Sequence, residues 1–188
     1  DVEPNNRRDQ AEQIQPGTYA GAVSDNDQRD YYAFRVAGGD VIRLTSDATT
    51  NVDVGIKLFD HEESYLEDVE AGRTLVYLTP VELGPRTWYV YVDGEGGYKF
   101  RLETALQNDA GTGGDAPENW QKAATIGPGV HSGMLGDDDE HDTFRFVAAP
   151  GQSISIQLTG DFSRLQDPGS IDLWVLSPDG SGLENVKT

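Results

Sequence analysis

The residues of this chain best suited to chemistry are oxygen donors. Asp25, Asp27 and Asp30 crowd a short stretch just ahead of a β-rich run, and Glu3, Asn5 and Asn6 form a second oxygen-rich group near the start. Calcium takes roughly six to eight hard oxygen ligands in flexible geometry, which two loops converging from separate places can supply. An acidic loop taken alone is solvated charge. Recurrence weighs the other way, because Asp115, Glu118, Asp139 and Asp142 repeat the spacing, with Asp109, Asp137 and Asp138 nearby. Neither group has the contiguous EF-hand pattern.

Catalytic groupings are poorly represented. His61, His131 and His141 form no His-Glu-x-x-His pair, and neither a Gly-x-Ser-x-Gly nucleophile turn nor a phosphate-cradling Gly-x-x-x-x-Gly-Lys occurs. His141, between Glu140 and Asp142, reads as a surface residue of the acidic loop more than as a catalytic base. A glycosidase carboxylate pair is a matter of three-dimensional separation and stays open from sequence. Acids that recur as a set fit a structural metal better than an active site, so no enzymatic activity is expected.

Composition narrows the partners. Asp and Glu number 33 against 14 Lys and Arg in 188 residues, a formal charge of −19. Such a surface repels phosphate backbones and anionic headgroups, which excludes nucleic acid as a partner and makes membranes a poor one. Usage rich in Asp and poor in Lys suits either a high-salt setting, where screening relieves self-repulsion, or an acidic, cation-binding secreted protein. Cysteine is absent, so stability cannot come from disulfides and thiolate metal sites are ruled out. No apolar run approaches the roughly 18 residues needed to span a bilayer, so membrane insertion is not expected. The chain opens on Asp1 without a basic, then apolar, leader, so any secretion signal is expected to have been removed or to lie outside this sequence.

Around the acids the punctuation is that of an all-β protein. β-rich runs fall at 31–36, 41–45, 52–59, 74–78, 88–92 and 98–103, separated by Gly, Pro and Asp at the spacing of a sandwich or barrel. Helical periodicity is weak, and the best short helices, 10–14 and 121–126, each end at a Pro-Gly pair. Those two segments belong to an internal repeat. A shift of 112 aligns residues 9–39 with 11 identities, among them Ile14/Ile126, Asp27/Asp139, Asp30/Asp142, Phe34/Phe146 and Gly39/Gly151. Chance gives about two. Val52-Asp53-Val54 then resumes as Ile171-Asp172-Leu173, seven residues later than the shift predicts. The division that follows is a first unit over 1–105, a Gly-rich linker over 106–114 and a second unit over 115–188 that lacks its last strands.

The ordered set Glu3-Pro4-Asn5-Asn6, Gly21, Asp27-x-x-Asp30-Tyr31-Tyr32-x-Phe34, Ala37-Gly38-Gly39-Asp40, Asp53-x-x-Ile56-x-Leu58-Phe59, Thr87-Trp88-Tyr89-Val90-x-Val92 and Gly97-Tyr98 resembles the bacterial pre-peptidase C-terminal domain. That family includes the collagen-binding domains of bacterial collagenases. The resemblance covers the first unit and the first two-thirds of the second. It implies tandem jelly-roll-like β-sandwiches and a structural Ca2+ held by Glu3, Asn5, Asn6, Asp27 and Asp30, with Asp1 as an extra ligand. In the second unit it implies Asp115, Glu118, Asp139 and Asp142, although Pro117 replaces Asn5 and removes one ligand. Period-two alternation places Trp88, Val90 and Val92 on one face of a strand and Tyr89 with Tyr91 on the other. Collagen-binding relatives use outward aromatic residues of this region, so Tyr89 and Tyr91 are the ligand-contact candidates, against ordinary cross-strand pairing worth about 0.2–1 kcal/mol.

The expected function is a non-catalytic, calcium-stabilised module of an extracellular or cell-surface protein, acting in adhesion, spacing or assembly. Its partners would be an extracellular polymer or neighbouring subunits. The alternative is a substrate-targeting accessory domain of a secreted peptidase. The unfinished second unit must be completed either by residues after Thr188 or by a strand from a neighbouring molecule; head-to-tail donation would make a homopolymeric filament.

Overall fold

The computed structural model describes residues 3–60, 62, 64–79, 84–135, 141–159 and 171–187. Nine strands build the first unit: β1 (Glu12–Gln13), β2 (Gly17–Val23), β3 (Arg29–Val36), β4 (Asp40–Ser46), β5 (Val54–Phe59), β6 (Tyr65–Asp68), β7 (Thr74–Leu78), β8 (Arg86–Gly94) and β9 (Gly96–Leu106). They form two sheets, ordered β1-β3-β8-β5-β6 and β2-β9-β4-β7. The fold is an all-β sandwich, as the spacing of the β-rich runs predicts.

Alternation decides which side chains fill the space between the sheets. Tyr32, Phe34 and Val36 of β3, Trp88, Val90 and Val92 of β8, Ile56 and Leu58 of β5, Leu44 of β4, and Tyr98, Phe100 and Leu102 of β9 form one buried cluster. Each large apolar side chain removed from water contributes about 1.5–3 kcal/mol, so this cluster dominates the fold's stability. The β8–β9 turn demands glycine. Gly94 has φ +113° and a Cβ there would stand 2.0 Å from the Asp53 carbonyl oxygen; Gly96 has φ +130° and a Cβ there would stand 2.5 Å from the Asn51 side-chain nitrogen. Only a residue without a side chain lets the hairpin close against the Asn51–Asp53 loop.

The short helices expected at 10–14 and 121–126 are not helices. Each is a 3-10 turn, Arg8–Gln10 or Trp120–Lys122, followed by a two-residue strand, β1 or β10 (Ala124–Thr125). Ile14 is the reason: it is buried, and its N–H donates to the Ala33 carbonyl at 2.8 Å, so the chain lies along β3 instead of coiling.

The second unit adds β11 (Phe144–Arg145), β12 (Asp172–Leu176) and β13 (Gly182–Lys187). β10 pairs parallel with β11 as β1 does with β3, Ala124 facing Phe144 where Glu12 faces Tyr32. The shift of 112 also relates Ile14 N to Ala33 O and Ile126 N to Arg145 O, both 2.8 Å, and Tyr31 N to Asn5 O, 2.9 Å, and Thr143 N to Pro117 O, 3.1 Å. Gly39 and Gly151 share φ 79°. The strand expected at 153–157 by the same shift enters no sheet among the described residues. The segment after β9 is fastened to both neighbours. Gln107 N donates to Gly39 O at 3.3 Å, and its Nε2 donates to Met134 O at 3.1 Å.

Candidate metal centre

Three devices bring the first acidic group together. Tyr31 N donates to Asn5 O, which ties the N-terminal segment to the start of β3. A tight turn, with Ser24 and Asp27 exchanging backbone hydrogen bonds of 2.8 and 2.9 Å, presents Asp27. Asp30 lies on β3 itself with its side chain fully buried. As a result Glu3, Asp27 and Asp30 each offer a carboxylate oxygen, all within 4.8 Å of one another.

Among the described residues no Lys or Arg is paired with these carboxylates, and the chain's N-terminal amino group is the one positive charge that acts on Asp30. Asp27 Oδ1 is buried with no hydrogen-bond partner among the described residues. Burial pushes the Asp30 carboxyl above the usual carboxylate range; the Tyr98 hydroxyl pulls it back, and the charges of Asp27 and Glu3 raise it further. The buried Asn5 amide abuts the same point. With its nitrogen turned inward it donates to Glu3 Oε2 at 3.2 Å and Asp30 Oδ1 at 2.8 Å; with its oxygen turned inward it becomes a fourth oxygen of the cluster. Three converging carboxylates, one with an unsatisfied buried oxygen, are the donor type a hard divalent cation takes. Asn6 stands further off, its Nδ2 donating to Glu3 Oε2 at 3.4 Å. Asp25 is exposed, and Asp1 lies outside the described residues.

The second group is assembled differently. Asp109, Asp115 and Asp142 bring carboxylate oxygens within 4.8 Å of one another. By the shift of 112, Asp115 stands where Glu3 does and Asp142 where Asp30 does; Asp139, the counterpart of Asp27, lies outside the described residues. Asp109 was not among the expected ligands. It is buried, accepting from Met134 N at 2.9 Å and from Gln107 Nε2 at 2.8 Å. A Cβ at Gly133 would meet Asp142 Oδ2 at 2.9 Å and Asp109 Oδ1 at 3.0 Å, so glycine leaves the room these carboxylates occupy. Burial raises the Asp115 carboxyl, and the charges of Asp109 and Glu118 raise it further. Glu118 has an exposed side chain outside the described cluster, and it is its carbonyl that accepts from Thr143 Oγ1, at 2.8 Å.

Tyr89 and Tyr91 lie on the outer face of β8, opposite the buried Trp88, Val90 and Val92. Their surroundings differ. The Arg8 guanidinium lies 4.0 Å from the Tyr89 ring centroid. Tyr91 belongs to an aromatic row across the sheet, 4.8 Å from Tyr31 and 5.8 Å from Phe59, which is 5.8 Å from Tyr65. It also borders a groove lined by Asp25, Arg29, Asp53 and Asp93. His131 Nε2 is paired with the Gly127 carbonyl at 2.8 Å, His141 is exposed and His61 lies outside the described residues.

No family model and no curated protein matches the chain. Among solved structures, it is similar to the pre-peptidase C-terminal domain of a collagenase from Bacillus anthracis at 20% identity and a TM-score of 0.38, over 54% of this chain and 100% of that one. It is also similar to PliG of Aeromonas hydrophila, a periplasmic inhibitor of g-type lysozyme, at 8% identity and a TM-score of 0.35, over 50% of this chain and 94% of that one.

Proposed function

We propose that the chain is a non-catalytic binding or spacing module of an extracellular or cell-surface protein, stabilised by calcium. The observation that carries this reading is the convergence of Glu3, Asp27 and Asp30 beside the buried Asn5 amide, with Asp27 Oδ1 unsatisfied. Glu3, Asp27 and Asp30 would hold the ion, with Asn5 through its oxygen. When bound, calcium would supply positive charge to a group of three carboxylates. The residues do the rest: Asn5 O and Tyr31 N hold the N-terminal segment against β3, so an ion there fastens the start of the chain to the sandwich. A role in adhesion or assembly is supported by the aromatic row through Tyr91 on an outer sheet face.

Calorimetric titration with calcium, on protein first stripped by chelator, tests the reading. A saturable heat that disappears in Asp27→Asn supports it; no heat, and the same melting temperature with and without chelator, overturns it.

A further inference from the structure

One residue on the outer face of the first sheet is buried where alternation leaves its neighbours open. Period two sets Arg29, Tyr31, Ala33 and Arg35 of β3 on that face. Arg29 and Arg35 are exposed and Tyr31 is partly so, yet Ala33 is 1% exposed. Ala33 faces Tyr89 across the β3–β8 ladder, and the N-terminal segment lies against this pair. The Arg8 guanidinium stands 4.0 Å from the Tyr89 ring centroid, the separation of a cation seated on a ring face. On the other side of Ala33, Gln13 of β1 faces it in the parallel pair.

The segment is fastened at both ends. At one, Tyr31 N donates to Asn5 O at 2.9 Å and Asn5 N donates to Glu3 Oε2 at 3.2 Å. At the other, Ile14 is buried and its N–H donates to Ala33 O at 2.8 Å. Between them the turn Arg8–Gln10 closes on itself, Gln10 N donating to Arg7 O at 2.9 Å, and buries none of its own residues. A surface turn with so little burial opens locally at low cost, so its position depends on its fastenings and on Arg8.

We infer that residues 5–10 are a strap whose latch, Arg8, closes over Tyr89 while the Glu3, Asp27 and Asp30 group is neutralised by a cation, and lifts when it is not. The inference rests on the calcium reading of that group and adds to it control of an outer surface. Three carboxylates within 4.8 Å of one another repel when no ion lies between them. Asp30 is fixed in β3 and Asp27 in its tight turn, whereas Glu3 is carried by the end of the strap, so Glu3 is the group that gives way. Its movement pulls on Asn5, three residues before Arg8. The attraction of a cation to a ring acts within about 6 Å of the centroid, so a shift of a few ångströms undoes the latch. The two outward tyrosines are then unequal. Tyr89 is withheld while the strap is closed, and Tyr91, in its row with Tyr31 and Phe59, is unchanged by it. The latch belongs to the first unit, since the shift of 112 puts Trp120 at the position of Arg8 and Arg145 at that of Ala33.

The test is nitration of the 188-residue chain by tetranitromethane, with each tyrosine followed by mass spectrometry, in calcium and in chelator. In calcium, Arg8→Ala is expected to speed nitration of Tyr89 at least threefold while Tyr91 keeps its parental rate. Arg8→Lys, which retains a cation, is expected to stay within twofold of the parent. Chelator should bring Tyr89 of the parent to the rate of Arg8→Ala and leave that variant as it was. Buried Tyr98 stays unmodified wherever the sandwich is intact, so misfolding is recognised, and Arg8→Gln repeats the comparison if Arg8→Ala misfolds. Equal Tyr89 rates in the parent and in Arg8→Ala overturn the latch. A parent chain that takes up calcium by calorimetry, yet nitrates at Tyr89 equally fast in calcium and in chelator, overturns the coupling and leaves the calcium reading standing. Absence of calcium uptake overturns that reading and the coupling together, and the Arg8→Ala comparison still decides the latch.

Discussion

The Tyr98 hydroxyl donates to the Asp30 carboxylate, joining β9 of one sheet to β3 of the other across 68 positions of sequence. The Tyr32 and Tyr98 hydroxyls are 2.5 Å apart, so the candidate metal centre is continuous with the buried core. Tyr98 is held neutral by burial first and by the Asp30 carboxylate second. It therefore acts as a fixed donor, steadying a carboxylate that burial alone would disfavour. Tyr98→Phe keeps the ring and removes the donor. A hydrogen bond to a charged group contributes about 1.5–3 kcal/mol, and a loss of that size by urea unfolding is expected, larger in chelator than in calcium. Equal stability of Tyr98→Phe and the parent chain in chelator would contradict this role.

On the proposed calcium reading, the ion and charge crowding oppose each other at Asp27. Without the ion, Asp27→Asn removes one of three neighbouring negative charges, so the variant is expected to melt higher than the parent in chelator and lower in saturating calcium. An ion at about 100 times its dissociation constant stabilises the folded state by roughly 2.7 kcal/mol, which sets the scale of the crossover. Thermal melts of both proteins in both conditions read it directly. A variant that melts lower than the parent in chelator as well would assign Asp27 a purely structural role.

Asp47 gives the acid limb a definite sign. The Thr49 hydroxyl and backbone N–H bond its carboxylate and Lys99 pairs with it, holding its pKa down at about 2 against an ordinary 3.8. A carboxyl depressed by folding stabilises the native state above its unfolded value, and that stabilisation is lost as pH falls through the folded value. The gap in melting temperature between the parent chain and Asp47→Asn should therefore be full above pH 4 and close toward pH 2. A gap that is constant across that interval would rule out the assignment.

Salt should act across the whole surface. The formal charge of −19 is relieved as the Debye length shrinks from about 10 Å at 0.1 M to about 3 Å at 1 M, so the melting temperature should rise over that range with calcium held fixed. Salt also weakens exposed pairs such as Lys99–Asp47 at 3.3 Å, and the net repulsion is expected to outweigh those among the described residues. A flat or falling melting temperature would argue against adaptation to high salt.

Equivalent positions in the two units should respond unequally. Leu44→Ala opens a cavity in a closed core and is expected to cost about 2–5 kcal/mol, whereas Ile156→Ala, at the half-exposed counterpart, should cost well under 1 kcal/mol. Similar losses at both positions would mean that Ile156 is covered in solution.

Period two made much of the sandwich legible. Trp88, Val90 and Val92 alternate with Tyr89 and Tyr91, and β8 buries the first set and presents the second outward. β2 escaped notice because Gly17, Ala20, Gly21 and Ala22 are poor strand formers, and the strand exists only because β9 pairs along its length. β6 was missed because its sequence, Tyr-Leu-Glu-Asp, reads as loop until β5 supplies the partner. At the metal centre, recurrence singled out Glu3, Asp27 and Asp30. Tyr98 could not be found that way, because its partner is remote in sequence, and Asp109 joins its group only through the contacts its carboxylate makes with Gln107 and Met134.

Gln107 changes what the joint between the units can transmit. A slack tether of nine residues behaves as a random coil with an end-to-end distance of about 15–18 Å and resists pulling only through entropy. Here the Gln107 N–H is committed to Gly39 O and its side-chain amide to Met134 O, with Asp109 buried two residues on. Tension along the polypeptide therefore meets a hydrogen-bonded clasp before any coil can lengthen. The joint yields as those bonds break, and Gln107→Ala, which removes the bond to Met134 O and keeps the backbone bond to Gly39 O, would loosen the clasp only in part.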